Sequence, residues 1–495
     1  MLRATNPSCH FSQKYVQYRR YGYLSGKETP MQSKDRSEIL GTMPMTRLVP
    51  KVSIPIMFSM LIQALYNIVD SIFVSRFDPN GLTAVSLAMP FQMLMIALST
   101  GMGTGINSLL SRRLGERDSE GAKRGTWNGL FIEVLGSGLF ILFGLFLAGL
   151  TMRLVVSDNL ANAESILSMG TDYLTIVTAF SMGLFLAIYF ERMLQATGNS
   201  VLSMVTQLCG ALTNIILDPI MIFGLLGCPR MGVSGAAIAT VIGQFVSAGI
   251  GFLLNQKKNP ELRLERRFCK INRHDLSGIV SVGFPSTIMA SIGSVMNIGM
   301  NGILSGFAES NAALNVMSVY FKLQSFIFMP VFGLSNGIIA ILAYNYGARI
   351  KERVYGCIKV AMYWACTIMI VGTLIFMIFP GQLMSIFESE AEAEITAQMT
   401  DIGIVAMRII SASFLLAAIG ITLSTVFQAV GKGVYSMIMS ICRQLVILLP
   451  VAWLIARLTG DVKAVWWCFP AAELAALIIC VYYYRKCDRD MLSKL

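Results

Sequence analysis

The stretch VSIPIMFSMLIQALYNIVDSIFVSRF, Val52–Phe77, decides how this chain is read. It is long and apolar enough to cross a bilayer as a helix, yet it carries a carboxylate, Asp70. Pro55 falls in the first turn of the expected helix, where its missing N–H costs nothing. Gln63, Asn67 and Asp70 follow at i, i+4 and i+7, so they share one face, while Ile, Met, Leu, Phe and Val occupy the others. An ionised Asp near mid-membrane costs roughly 2.5–3.5 kcal/mol on insertion scales. Such a residue is kept when it is paired, protonated or bound to a cation.

The rest of the chain has the same character. Of 495 residues, 55% are hydrophobic and 14% charged, against about 25% charged in soluble domains. Twelve apolar segments are each long enough to cross ~30 Å of hydrocarbon: 50–77, 85–110, 127–150, 168–194, 200–225, 234–254, 275–304, 313–343, 355–379, 400–427, 434–456 and 464–484. The fold class is therefore an all-α polytopic membrane protein. The domains read as a polar N-terminus over 1–45 without structure, a first lobe over 46–254, a basic linker over 255–274, a second lobe over 275–485 and a tail over 486–495.

Residues 1–45 hold no apolar core of signal-peptide type. Met31 lies closer to the first span, and residues 1–30 are read as an upstream mis-start or a dispensable tail. The ten cysteines form no C-x-x-C pair and no metal spacing with His10 and His274; they read as small buried hydrophobes. The net charge of +11 is explained by loops held on one side of the membrane and gives no reason to invoke nucleic acid. Of 39 Lys and Arg, about 31 fall on one side when the N-terminus is placed in the cytoplasm, and only Arg76, Arg153, Arg230, Arg457 and Lys463 fall outside, with Glu388, Glu390, Glu392 and Glu394. Both termini are thus expected in the cytoplasm.

The two sets of six spans resemble each other. Pro55 and Asn67 recur as Pro285 and Asn297; Gly101, Gly105 and Gly115 recur as Gly333, Gly337 and Gly347; Gln195-Ala-Thr-Gly198 recurs as Gln428-Ala-Val-Gly431. Six spans per repeat is even, so the two lobes are expected to be related by a pseudo-two-fold axis along the membrane normal and to enclose a central cavity. The asymmetry is informative. Asp70 corresponds to Met300, and Asp218 to the neighbourhood of Leu449. A carboxylate-based coupling site would lie in the first lobe.

In the fifth span Gln207, Asn214 and Asp218 share a face, and Pro219 follows. Its missing N–H frees the Ile215 carbonyl and is expected to kink the helix. Asp70 and Asp218 lie at similar depth and are expected to meet, with Thr240 of the sixth span close by. Two carboxylates, amides and a hydroxyl form a hard-oxygen set that suits Na⁺, with Asp70, Asn214 and Asp218 as its ligands. The same set suits a proton, because desolvation and a like charge both favour protonation. The alternative is a structural one, Asp218-Pro219 kinking a helix and Asp70 pairing with a buried base; Arg and Lys are absent from the interior of the first six spans.

Glu191 stands near the end of the fourth span, where it either joins this site or pairs with Arg192. Glu133, Asp172, Asp401 and Glu473 lie nearer span ends and read as structural. The second lobe offers Asn297, Asn301, Lys322 and Arg443 as cavity candidates. Gly101, Gly103 and Gly105 lack the strand and lysine of a nucleotide loop and read as helix-packing positions. No ATP motif and no catalytic constellation appears, so energy would come from an ion gradient, no cofactor is implied, and the protein is not expected to be an enzyme. Thirty-one methionines suit a surface that accepts many ligands.

Taken together, Pro55 with Asp70, Gly115-Glu116, Gln195-Ala-Thr-Gly-Asn199, Asn214-Ile-Ile-Leu-Asp218-Pro219 and Pro229-Arg-Met-Gly-Val-Ser-Gly-Ala-Ala-Ile-Ala-Thr240 resemble the multidrug and toxic compound extrusion family over about 45–485. The resemblance implies export of cationic amphipathic compounds in exchange for Na⁺ or H⁺. It implies a first-lobe cation site at the positions of Asp70, Asn214, Asp218 and Thr240, with an acid at the Glu191 position implicated in some members. Short loops and a Met-rich composition read as bacterial, so the cytoplasmic membrane is expected, with a monomer as the expected state. A lipid-linked oligosaccharide flippase shares the two-lobe architecture and is the rival reading; Lys322 and Arg443 would then face the cavity. The topology has a direct check. Green fluorescent protein fused after Leu495 is expected to fluoresce and alkaline phosphatase inserted at Arg230 to be active; the opposite pair would overturn the orientation.

Overall fold

The computed structural model describes residues 37–156, 162–386 and 393–495; the side chains of residues 67, 79 and 393–397 lie outside that description. All regular structure among the described residues is helical. Ten helices are long and apolar enough to span a membrane, and two bent pairs bring the number to twelve. The first lobe is built from spans one (Met45–Phe77), two (Pro79–Gly115), three (Ser119–Phe146), four (Ala163–Ala179 and Met182–Ala196), five (Ser200–Phe223) and six (Val233–Lys258). The second is built from spans seven (Arg273–Leu304), eight (Ser310–Gly347), nine (Lys351–Ile378), ten (Ala393–Ser411 and Phe414–Ala429), eleven (Gly433–Thr459) and twelve (Cys468–Asp490). Large apolar side chains left exposed, such as Leu139, Leu142 and Phe146 on span three and Ile478 on span twelve, form the surface that hydrocarbon would cover.

Three features differ from the sequence reading. The first helix begins at Met45, after Pro44, so Pro55 lies in the third turn and not the first. Its ring removes an interior hydrogen bond, and the Ser59 hydroxyl bonds the Pro55 carbonyl one turn further on. Spans four and ten are each broken, by 45° and 48°, where a continuous helix was expected. The breaks are repeat-equivalent and have a common cause: hydroxyls compete for backbone carbonyls. Thr178 Oγ1 reaches the Leu174 carbonyl just before the break in span four, and in span ten Ser413 Oγ reaches the Ile410 carbonyl and Thr373 Oγ1 the Ser411 carbonyl. Finally, residues 37–44, which the sequence reading places in an unstructured N-terminus, pack on the bundle. Glu38–Thr42 form a short helix whose Leu40 is fully buried. The Leu40 carbonyl accepts from Asn345 Nδ2 and Arg353 Nη2, both at 2.9 Å.

The linker between the lobes is strapped to span three. Trp127 Nε1 donates to the Glu265 carbonyl, Lys123 Nζ to the Glu265 carboxylate, and Asn128 brackets Lys270 and Asn272. The hydrogen bond from Lys123, with Arg267 beside it, holds the Glu265 carboxyl below the usual carboxylate range. Asp275, at the start of span seven, is buried and receives both Arg113 (3.1 Å) and Arg124 (2.8 Å). The lobes are thus tied by charge at the end that carries the basic loops.

The repeated glycines explain why the lobes meet there. Spans one and eight cross, as do spans two and seven. A Cβ at Gly105 would strike the Ile279 carbonyl, one at Gly333 the Met57 backbone, and one at Gly337 Ser53. At the end of the seam the contact is reciprocal: a Cβ at Gly115 would strike the Tyr344 carbonyl, and one at Gly347 the Arg112 carbonyl. That reciprocity is what a pseudo-two-fold axis between the lobes requires. All these positions lie in the basic half of their helices, so the seam is closed at that end. Overpacking a seam of this kind costs about 1–3 kcal/mol. Gly105→Leu and Gly347→Leu are therefore expected to lower the melting temperature in detergent by several degrees. Gly138→Leu, whose Cβ meets no neighbour within 4 Å, is expected to leave it unchanged or raise it. Thermal unfolding of the three purified variants checks this.

Candidate cation site in the first lobe

Small residues bring the fifth and sixth spans together. Gly210 and Gly243 face each other's carbonyls, and a Cβ at Gly243 would also press on Asn214. At that closeness Asn214 Nδ2 lies 3.2 Å from Thr240 Oγ1 and 3.3 Å from Asp218 Oδ1. Asp218 is fully buried, Asn214 nearly so, and Thr240 is 8% exposed. Span one packs against span five and brings Asp70 close enough for its charge to act on Asp218. Asp70 is thus within electrostatic reach of Asp218, which shares the Asn214 amide with Thr240. The side chain of Asn67 lies outside the described residues.

Among the described residues, three buried oxygens here have no hydrogen-bond partner: Asp70 Oδ1, Asn214 Oδ1 and Asp218 Oδ2. Buried acceptors are normally satisfied. Oxygens of two carboxylates and an amide are the donor type that a proton or a hard cation takes. Among the described residues no group of three or more His, Cys, Asp or Glu side chains is placed to hold a metal ion; a cation here would rest on two acids and neutral oxygens. Two tyrosines surround the pair: Tyr66 and Tyr173 both lie within electrostatic reach of Asp70 and Asp218, and Tyr173 Oη donates to Gln92 Oε1 at 3.2 Å. The sequence reading missed them. Tyr66 stands one turn before Asp70 and was open to discovery by spacing, whereas Tyr173 and Gln92 arrive from other helices.

Glu191 is buried, and its environment separates the two alternatives that its sequence position leaves open. It does not pair with Arg192. Its two oxygens accept from Gln195 Nε2 and Gln207 Nε2, each at 2.7 Å, while Arg192 Nη1 donates to Gln195 Oε1 at 2.8 Å. Neighbouring residues on a helix point about 100° apart, so Glu191 and Arg192 face different partners. Gln207 lies on the face of span five that also carries Asn214 and Asp218, so one helix face connects Glu191 with the acid pair. Glu133, expected near a span end, sits in the middle of span three, fully buried, with Ser99 Oγ on Oε2 and no partner on Oε1. Membership in a longer helix than the hydropathy pattern indicated accounts for the difference.

The second lobe divides its candidates. Asn297, Asn301 and Lys322 line one cavity of about 680 Å³. Arg443 is not among its lining residues; it pairs with Glu473 at 2.9 Å from a π-helical turn, Cys442–Leu448. At the positions matching the first-lobe acids, Met300 is buried and Leu449 packs on Gly299. An apolar contact replaces the acid pair.

This geometry can be set beside known proteins. The profile of the MatE family matches residues 55–220 and 285–454, once in each lobe. The multidrug export protein MepA of Staphylococcus haemolyticus is 25% identical over 446 residues, covering 89% of this chain and 94% of that protein. A MATE solved in complex with MaL6 superposes with a TM-score of 0.85 at 25% identity, over 93% of this chain and all of the other. A multidrug resistance MATE family transporter of the MOP superfamily, solved in an outward-facing conformation, gives 0.84 at 25% identity over 94% of this chain and all of the other. With the family profile matched in both lobes and the whole two-lobe, twelve-span fold shared, this chain belongs to the MatE family and is a membrane transporter, not an enzyme.

Proposed function

We propose that this chain exports cationic amphipathic compounds from the bacterial cytoplasm in exchange for Na⁺ or H⁺. The carrying observation is the cluster of three unpartnered buried oxygens on Asp70, Asn214 and Asp218. The names of the MepA relatives, multidrug export proteins, support the cargo class. The basic end of the bundle is cytoplasmic in this reading, with both termini there, and the protein acts as a monomer. The closed glycine seam and the Arg113–Asp275–Arg124 bridge then seal the cytoplasmic side, and the cavity between the lobes opens outward.

In the exchange, a cation enters from outside and binds the Asp70/Asp218 pair. Two like-charged carboxylates close together repel each other, and a bound Na⁺ or proton relieves that repulsion. The loaded first lobe repacks, the seam opens, and the cavity accepts an amphiphilic cation from the cytoplasm. The two cations need not share ligands. Each has only to favour the opposite state of the carrier. Glu191 is the cytoplasmic-side member of the same polar face, reached through Gln207.

Two measurements test this. Asp218→Asn is expected to reduce gradient-driven export of tetraphenylphosphonium at least about tenfold, in line with loss of a charge-assisted contact, at normal membrane levels; export at the wild-type rate would overturn the assignment. In proteoliposomes, an imposed Na⁺ gradient or an imposed proton gradient is expected to drive efflux of a fluorescent lipophilic cation, and whichever does so names the ion. Efflux under neither gradient, from folded protein, would overturn antiport.

A further inference from the structure

The second-lobe cavity has a chemical character opposite to that of the first-lobe site. Its lining residues are Asn297, Asn301, Gly302 and Ser305 from the end of span seven, and Leu314, Ser318, Phe321 and Lys322 from span eight. Lys322 carries a full positive charge and only donates, Asn297, Asn301 and Ser318 can donate or accept, Ser305 spends its hydroxyl on the Gly302 carbonyl, and none is an acid. Leu314 and Phe321 add an apolar wall. Gly302 faces open space, with no atom within 4 Å of where its Cβ would be.

The internal repeat sharpens the contrast. At the offset that relates Gly101 to Gly333, Lys322 corresponds to Pro90; at the offset that relates Pro55 to Pro285, Asp70 corresponds to Met300. One lobe has an acid where the other has a thioether, and the second has an ammonium where the first has proline. Lys322 is exposed on its helix, on the face it shares with Asn315 and Ser318. A lysine on a membrane helix is costly unless it faces a wet cavity or a counter-charge; this one lines a cavity, and a cation beside neutral polar groups and one apolar wall suits the acidic head of an amphiphile.

We infer that this cavity binds the carboxylate or phosphate group of an amphiphile. The occupant is either the acidic end of a zwitterionic solute, which extends the proposed export of cations to zwitterions, or the headgroup of an anionic lipid. The first case rests on the export reading, and binding, which needs no gradient, separates the two.

The test uses the full chain in phosphatidylcholine nanodiscs and two dyes that differ in one group: rhodamine B, a zwitterion with a free carboxylate, and its ethyl ester, a cation. Fluorescence polarisation gives both affinities. Lys322→Gln is expected to weaken rhodamine B about tenfold, as for loss of a charge-assisted hydrogen bond, and the ester less than about twofold. Lys322→Arg is expected to keep the acid form bound. Asn301→Asp, which places a negative charge on the opposite wall, is expected to disfavour the acid form alone. Adding phosphatidylglycerol identifies the source: competition with rhodamine B that disappears in Lys322→Gln names the lipid headgroup, and no competition names the solute. Equal loss for both dyes, or loss for neither, would overturn the site. Discrimination between the dyes without gradient-driven transport of either would leave the site standing and overturn antiport.

Discussion

The seam between the lobes is the constraint on which the rest depends. Helices can approach to backbone contact only where one of them lacks a Cβ. Gly105, Gly115, Gly333, Gly337 and Gly347 supply that freedom in the basic half of spans two and eight. At the other end of spans seven and eight, near the turn between them, the structure holds the polar cavity beside Lys322. The same two spans thus carry the closed seam at one end and a cavity at the other.

Within the first lobe a second close approach does the chemical work. Gly210 and Gly243 let spans five and six come together, and this puts the Thr240 hydroxyl on the Asn214 amide and the amide on Asp218. The amide has two N–H groups, and both neighbours draw on the same nitrogen. The acceptors outnumber the donors, so Asp70, Asn214 and Asp218 each keep an oxygen without a partner. Such a deficit is destabilising in a buried site. It is tolerated where a cation or proton supplies what the protein withholds.

The second lobe repeats the scaffold without the charge deficit. Leu449 fills against Gly299 where the first lobe has its acids, and Arg443 is matched by Glu473. The π-turn at Cys442–Leu448 directly precedes Pro450, the repeat-equivalent of Pro219. A proline thus recurs in both lobes, inside an unbroken α-helix in span five and after a π-turn in span eleven, and the side chains around it differ. Opposite charge in two similar halves gives the transporter an acid-bearing lobe and an amine-bearing lobe.

Much of this was legible in the residues alone. Hydropathy and length determine the number of spans, because a bilayer leaves no other way to satisfy so much apolar backbone. Local spacing placed Gln207, Asn214 and Asp218 on one face, and the internal repeat located the acids in the first lobe only. What linear order could not supply is contact between helices distant in sequence. The glycine repeats showed that something packs closely, but only the tertiary structure identified the partner carbonyls. The bend in span ten depends on a hydroxyl from a neighbouring helix as well as its own. Glu191 stands beside Arg192 in sequence, yet the fold gives its oxygens to Gln195 and Gln207, because a helix turns adjacent side chains toward different neighbours. Tyr173 joins the acid pair, and Lys322 separates from Arg443, for the same reason: the sequence determines which groups a helix carries, and packing decides which of them meet.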